Sequence, residues 1–186
     1  MPRLFVAVDL PDEIADQALR LCTGLPAIRW VSPDQLHLTL RFIGEVSHEL
    51  FYEIGVALGE IVLRPFEIRL KGLGLFPPRG APHTLWVGVE EDGGLSQLKR
   101  RIDRAVEGAG LAPERRKFQA HVTLGRFREP PPDQRLGSWV AGRSLFRSDP
   151  FMVSGFTLYS SHLRPEGALY SREASYDFVS GHFERV

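Results

Sequence analysis

"QLHLTL", residues 35–40, carries two patterns at once. Leu36, Leu38 and Leu40 alternate, as a strand with one face in a core requires. The opposite face shows His37, Thr39 and then Arg41, a polar row that a merely solvated strand does not need. The pattern returns as "QAHVTL", residues 119–124, where His121 and Thr123 stand against Ala120, Val122 and Leu124.

Working outward, the flanking segments recur with the motif. "LFVAVDL" (4–10) matches "LWVGVEE" (85–91), and "PFEIRLKGLGLF" from Pro65 matches "PFMVSGFTLYSS" from Pro150. The three matches keep their order at offsets of 81, 84 and 85 residues, the signature of a two-fold internal repeat. The halves run over 4–77 and 85–161, with a C-terminal strand segment over 162–186, in one bilobal domain. Helical patterns over 11–25, 47–62 (Ser47 as N-cap) and 95–110 separate the strands. Between them, 28–44 reads as a strand region with a Ser-Pro-Asp turn. The halves differ over "EPPPDQRLGSWVAGRSLFRSD" (129–149), where three consecutive prolines predict loop with a short turn or strand instead of a helix. The tail, 164–183, reads as a turn and a last strand.

Two lobes of this kind each bury one sheet face under helices. Related by a pseudo-twofold axis, they bring equivalent residues together, as in a symmetric dimer interface. His37 with Thr39 then meets His121 with Thr123 across a cleft.

Composition narrows the setting. The 186 residues are 43% hydrophobic and 25% charged, ordinary globular values that argue against disorder. No apolar run is long enough to span a membrane. The start, "MPRLFVAVDLP", meets Asp9 after a short apolar run and reads as a first strand, not a leader. A single cysteine, Cys22, excludes an internal disulfide and suits a cytoplasmic, reducing location. Formal net charge is zero, so no global field draws the chain to nucleic acid. Arg outnumbers Lys by 20 to 3, a bias that a base-composition preference in the genome, which also fits the 14 prolines and 18 glycines, explains better than phosphate binding does.

The doubled His-x-Thr is the chemistry-bearing feature. Residues i and i+2 of a strand share a face, so each motif projects an imidazole and a hydroxyl together. Imidazole titrates near pH 6.5, so one His can take a proton from water while its twin delivers one to a leaving alkoxide. Thr hydroxyls donate to anionic oxygens without adding charge. The set suits attack of water on a phosphodiester, with no metal required. Zinc is the competing reading, but neither motif brings a third ligand and His-Glu-x-x-His is absent. His48, His83, His162 and His182 read as peripheral.

With both motifs in view, the chain resembles the 2H phosphoesterases, and within them the LigT-like RNA 2′,3′-cyclic phosphodiesterases once called 2′-5′ RNA ligases. "RLFVAVDLP", "RWVSPDQLHLTLRFIGEV", "PFEIRLKGLGLFP", "LWVGVE" and "FQAHVTLGRF" carry the likeness over nearly the whole length. The extended motifs His-x-Thr-x-x-Phe and His-x-Thr-x-x-Arg are met by His37, Thr39, Phe42 and by His121, Thr123, Arg126. The resemblance implies hydrolysis of an RNA-terminal 2′,3′-cyclic phosphate to a 2′-phosphomonoester, with no cofactor. His37 would be the proton donor and His121 the proton acceptor, with Thr39, Thr123 and Arg126 on the phosphate. Phe42 would pack beneath the site or against a base, and Arg41, on the His37 face by alternation, would reach nucleic acid. The expected fold class is α+β: a two-lobed, pseudo-twofold duplicated fold, antiparallel sheets lining a central cleft and helices outside. The expected partners are RNA ends or nucleotides carrying a 2′,3′-cyclic phosphate, bound by a monomer away from membranes. A non-catalytic RNA-end binder and an RNA ligase acting in the reverse direction are the alternatives.

Overall fold

Strand β1 (Arg3–Asp9) is buried from Leu4 to Val8 because a strand flanks each of its edges. On one side is β3 (His37–Glu45), the first motif strand; on the other is β8 (Gly155–Arg164), from the far end of the chain. In the second half, β5 (Thr84–Glu91) lies in the same way between β6 (His121–Phe127) and β4 (Phe66–Phe76). The computed structural model describes residues 3–129, 133–164, 167–178 and 183–185. Within them the strands form one antiparallel sheet in the order β10-β9-β8-β1-β3-β6-β5-β4-β7. Here β7 is Phe151–Val153, β9 is Gly167–Asp177 and β10 is Phe183–Arg185. A short strand, β2 (Ile28–Trp30), pairs β6 off this path.

The repeat fits this order as a palindrome about the β3–β6 seam. The seam itself is the pair Leu38–Val122, a residue facing its own repeat equivalent. At the other end Glu67 of β4 faces Met152 of β7, again its equivalent. After Ser154 the chain of β7 continues as β8, so the sheet path curls back on itself. The copies also exchange strands: β4 of the first half pairs β5 of the second, and β8 of the second pairs β1 of the first.

Helices cover the outer, apolar face. They are α1 (Asp12–Leu19), α2 (His48–Gly59), α3 (Gly94–Gly108) and α4 (Asp133–Ala141). Ser47 caps α2, its hydroxyl accepting from the Leu50 N–H at 3.2 Å. α3 buries Leu95, Leu98, Ile102 and Val106 at helical spacing, and the Glu91 carboxylate accepts from the Leu95 and Ser96 N–H groups at its start. α1 stops at Leu19, short of the predicted Leu25, because the chain leaves the helix in tight turns before Gly24, whose φ is +83°.

α4 corrects the sequence expectation for 129–149. A helix forms where loop or strand was predicted, directly after the proline run. The first N–H groups of a helix have no intrahelical partner, so proline ahead of or in the first turn costs nothing there. Leu136 and Trp139 then anchor it in the core, and the Trp139 indole donates to the Thr23 carbonyl at 2.7 Å. The second half therefore has its counterpart of α2. Among the described residues no helix is long and apolar enough to cross a membrane.

Candidate active site

Both motif strands carry a bulge at the same repeat position. On β3 the register jumps from Ala7–Thr39 to Val6–Arg41, leaving Leu40 as the extra residue. On β6 it jumps from Trp86–Thr123 to Leu85–Gly125, leaving Leu124. A bulge reverses the facing of every residue beyond it. Without one, the fifth residue after each His would point into the core. With it, Phe42 and Arg126 rejoin the His-Thr face, and both are exposed. This accounts for the x-x spacing that closes each extended motif.

The bulge also moves Arg41. Simple alternation puts it on the His37 face, but it turns under the sheet instead, 6% exposed. One Nη donates to the Ala112 carbonyl at 2.6 Å, and the other lies 3.5 Å from an Asp103 carboxylate oxygen of α3. Arg41 borders the cleft from this buried position, not from the open face the alternation predicts. Phe42 is 61% exposed, with its ring 6.0 Å from that of Phe5.

Each imidazole is tethered by the main chain. The Nδ1 of His121 lies 2.7 Å from the carbonyl oxygen of Gln119, which can only accept, so Nδ1 carries the proton. His37 makes the equivalent bond to the backbone of Gln35. His121 is thus held with Nε2 as its free nitrogen, and the Gln35 backbone restrains the His37 ring in turn. Aromatic rings fix their planes. His37 packs on Phe5 at 4.9 Å and edge-on to Tyr170 at 5.2 Å; His121 is edge-on to Phe76 at 4.9 Å and lies 5.8 Å from Trp86. Phe5 and Trp86 are repeat equivalents, and their cross-strand partners are Tyr159 and Gly74. Phe5 stacks on Tyr159 at 5.2 Å, while the larger indole of Trp86 occupies the space a Cβ on Gly74 would need.

Burial pushes both imidazoles below their ordinary value, and neighbouring charges then distinguish them. His37 is lowered to about 4 by desolvation, with the Gln35 backbone and the Asp9 carboxylate pulling upward and His121 downward. His121 is lowered by desolvation, opposed by the Gln119 carbonyl and reinforced by Arg126. Asp9 faces His37 across β1 and β3, and is itself held by the hydroxyls of Thr157 (2.8 Å) and Tyr159 and by Arg172 (3.1 Å).

The cleft encloses about 600 Å³ and contains His37, Thr39, His121, Thr123, Phe42 and Arg126 in one wall system. Its charged lining is one-sided: Arg29, Arg41, Lys99, Arg116, Lys117 and Arg126 against Glu114. A chain of zero net charge therefore concentrates its cations here. His83, taken as peripheral from its turn-rich setting, borders this cleft; its Nδ1 is 3.2 Å from the Thr84 hydroxyl, which also receives Arg126 at 3.4 Å. Its adjacency to the strand that pairs Arg126 was the available signal. His48 and His162 are exposed, and His182 lies outside the described residues. Cys22 is half-buried, and burial raises its thiol to about 11, far from a reactive thiolate.

Comparison with known proteins places these features in a wider set. The family described as LigT like Phosphoesterase matches twice, over residues 8–86 and 87–170. An RNA 2′,3′-cyclic phosphodiesterase of Archaeoglobus fulgidus is 34% identical over 90% of this chain and 96% of its own. One from Methanothermobacter thermautotrophicus is 30% identical over 91% of this chain and 95% of its own. The crystal structure of E. coli LigT complexed with 3′-AMP superposes with a TM-score of 0.75 at 29% identity, covering 96% of this chain and 99% of that one.

Proposed function

The chain belongs to the LigT-like phosphoesterase family, and from that membership and the paired-histidine cleft we propose that it is an RNA 2′,3′-cyclic phosphodiesterase. The observation that carries this reading is the pair of main-chain-tethered imidazoles, each beside a Thr, in a cleft whose charged lining is cationic but for Glu114. The nucleotide in the E. coli LigT structure supports an occupant of nucleotide size.

In the proposed reaction the cyclic phosphate sits between the two motifs. Thr39 and Thr123 donate hydroxyl hydrogen bonds to its non-bridging oxygens, and the Arg126 guanidinium pairs with its charge. Nε2 of His121 takes a proton from water as the water oxygen bonds to phosphorus. The P–O3′ bond breaks, its electron pair goes to O3′, and His37 supplies the proton that makes the 3′-hydroxyl. The product is a 2′-phosphomonoester, and the two histidines regain their starting states through solvent. The charges favour this assignment: Asp9 supports an imidazolium at His37, while Arg126 opposes one at His121. Burial of His37 works against the donor in the free cleft, and the phosphate anion offsets it on binding.

The test is turnover of a nucleoside 2′,3′-cyclic phosphate by purified protein, with the product identified as the 2′-phosphate. His37→Ala and His121→Ala are each expected to cut kcat by about 10²–10⁴-fold while keeping native far-UV dichroism. Full activity in either folded variant would sink the two-histidine mechanism. No turnover by the parent protein would leave a nucleotide-binding module instead.

A further inference from the structure

The α3 end of the cleft holds charge that the reaction above does not use. Arg41 is more than nine-tenths buried, and its Nε and one Nη have no hydrogen-bond partner among the described residues. The carboxylate it pairs with, Asp103, is already occupied: Lys99, 7% exposed, bonds both its oxygens at 2.5 Å. Two buried cations thus share the Asp103 carboxylate, with the exposed Glu114 acting on both from the rim, and the spare guanidinium donors belong to a side chain that borders the cleft. Lys117 and Arg116 add exposed positive charge at the same end, against Glu114, which the Arg116 N–H engages at 3.0 Å. The ring of Phe118 lies under Lys99, 5.5 Å from its ammonium. A buried guanidinium left with free donors is an expensive arrangement unless an anion completes it. By the register on β1, where His37 faces Asp9 and Arg41 faces Val6, the two Cα atoms stand roughly 10 Å apart, beyond the reach of one sugar ring.

We propose that Arg41 and Lys99, with Lys117 at the rim, form a second anion subsite that holds the RNA phosphate on the 5′ side of the nucleotide preceding the terminal one, one step beyond the terminal nucleotide's own 5′-phosphate. The proposal rests on the phosphodiesterase reading for what lies between the two sites. It makes the oligonucleotide a better substrate than the mononucleotide.

The experiment compares kcat/KM for three ligands, N>p, pN>p and pNpN>p, where >p is the 2′,3′-cyclic end. The parent protein is expected to favour pNpN>p over N>p by about tenfold or more, as one charge-assisted phosphate contact supplies. In Arg41→Met that ratio falls to near one, and the slope of log affinity for pNpN>p against log salt shrinks by about 0.7. Lys117→Ala, an exposed change that does not threaten folding, is expected to lower the ratio in part. A ratio untouched in both variants, or in Lys117→Ala alone should Arg41→Met fail to fold, overturns the subsite. So does a gain already complete with pN>p, which would assign the cations to a nucleotide's own 5′-phosphate. Should no cyclic end be turned over, the reaction falls separately, and calorimetric binding of a dinucleotide with a 2′-phosphate end still decides the subsite by the same comparison.

Discussion

At the scale of residues, the site turns on how the two imidazoles share one proton. Both lie below the ordinary histidine value in the free protein, His37 at about 4. Above the higher of the two values the proton donor is lost, and below the lower one the base is protonated. The profile of kcat/KM, which reports the free enzyme, is therefore expected to be a bell with its maximum below pH 6.5, falling toward pH 8. The profile of kcat should lie at higher pH, because a bound phosphate anion favours imidazolium. Initial rates across pH 4–9, with and without EDTA, check both; a kcat/KM that still climbs from pH 6.5 to 8 would contradict the buried, neutral pair. The meeting of the two imidazoles in one cleft was legible in the sequence because His-x-Thr occurs twice in equivalent places. Arg41 was not. A bulge is invisible in the hydrophobic pattern, since Leu40 and the aliphatic stem of Arg41 both read as ordinary strand.

At the scale of elements, the β4–β5 pair shows how a support can be shared unequally between copies. Trp86 fills the space above Gly74, whereas its equivalent Phe5 stacks on Tyr159. Gly74→Ala places a methyl inside the indole and must displace it from His121. That variant is expected to lose about 1–3 kcal/mol of stability and to lower kcat without changing the His37 side of the pH profile. Adding Trp86→Phe should return most of the stability, as urea denaturation of the single and double variants would measure. The matched "LFVAVDL" and "LWVGVEE" displayed Phe5 and Trp86 as equivalents, but not the small-for-large exchange across the strands. That exchange depends on pairing partners 12 residues away in one copy and 154 in the other. α4 was missed for a different reason: the prolines were read as a barrier, when they only mark where the helix begins.

At the scale of the whole molecule, the copies are interlocked, not merely apposed. Each half donates a strand to the other's central strand, and the seam pair Leu38–Val122, β2 on β6 and β4 on β7 join the halves further. Unfolding one half therefore strips β1 or β5 of a neighbour in the other. Heat or urea is expected to give a single transition, coincident by far-UV dichroism and by the fluorescence of Trp30, Trp86 and Trp139. Residues 1–80 and 81–186 expressed apart are expected to lack stable structure, and to regain it only when mixed. Two separate transitions would mean that the halves stand independently. Strand order of this kind is beyond what a repeat alone can specify, because the same two matching halves could each have closed on themselves.

The tether that orients the imidazoles has a consequence for variation. The accepting oxygens of Gln35 and Gln119 belong to the peptide chain, and every amino acid supplies one. Substitution at either glutamine leaves the tautomer of its histidine intact so long as the strand entry keeps its path. The chemically most sensitive property of the site is thereby placed out of reach of side-chain mutation at those positions, and the Gln35 side chain is left to a separate task, donating to the Ala168 carbonyl at 2.9 Å and accepting from the Ser32 N–H at 3.3 Å.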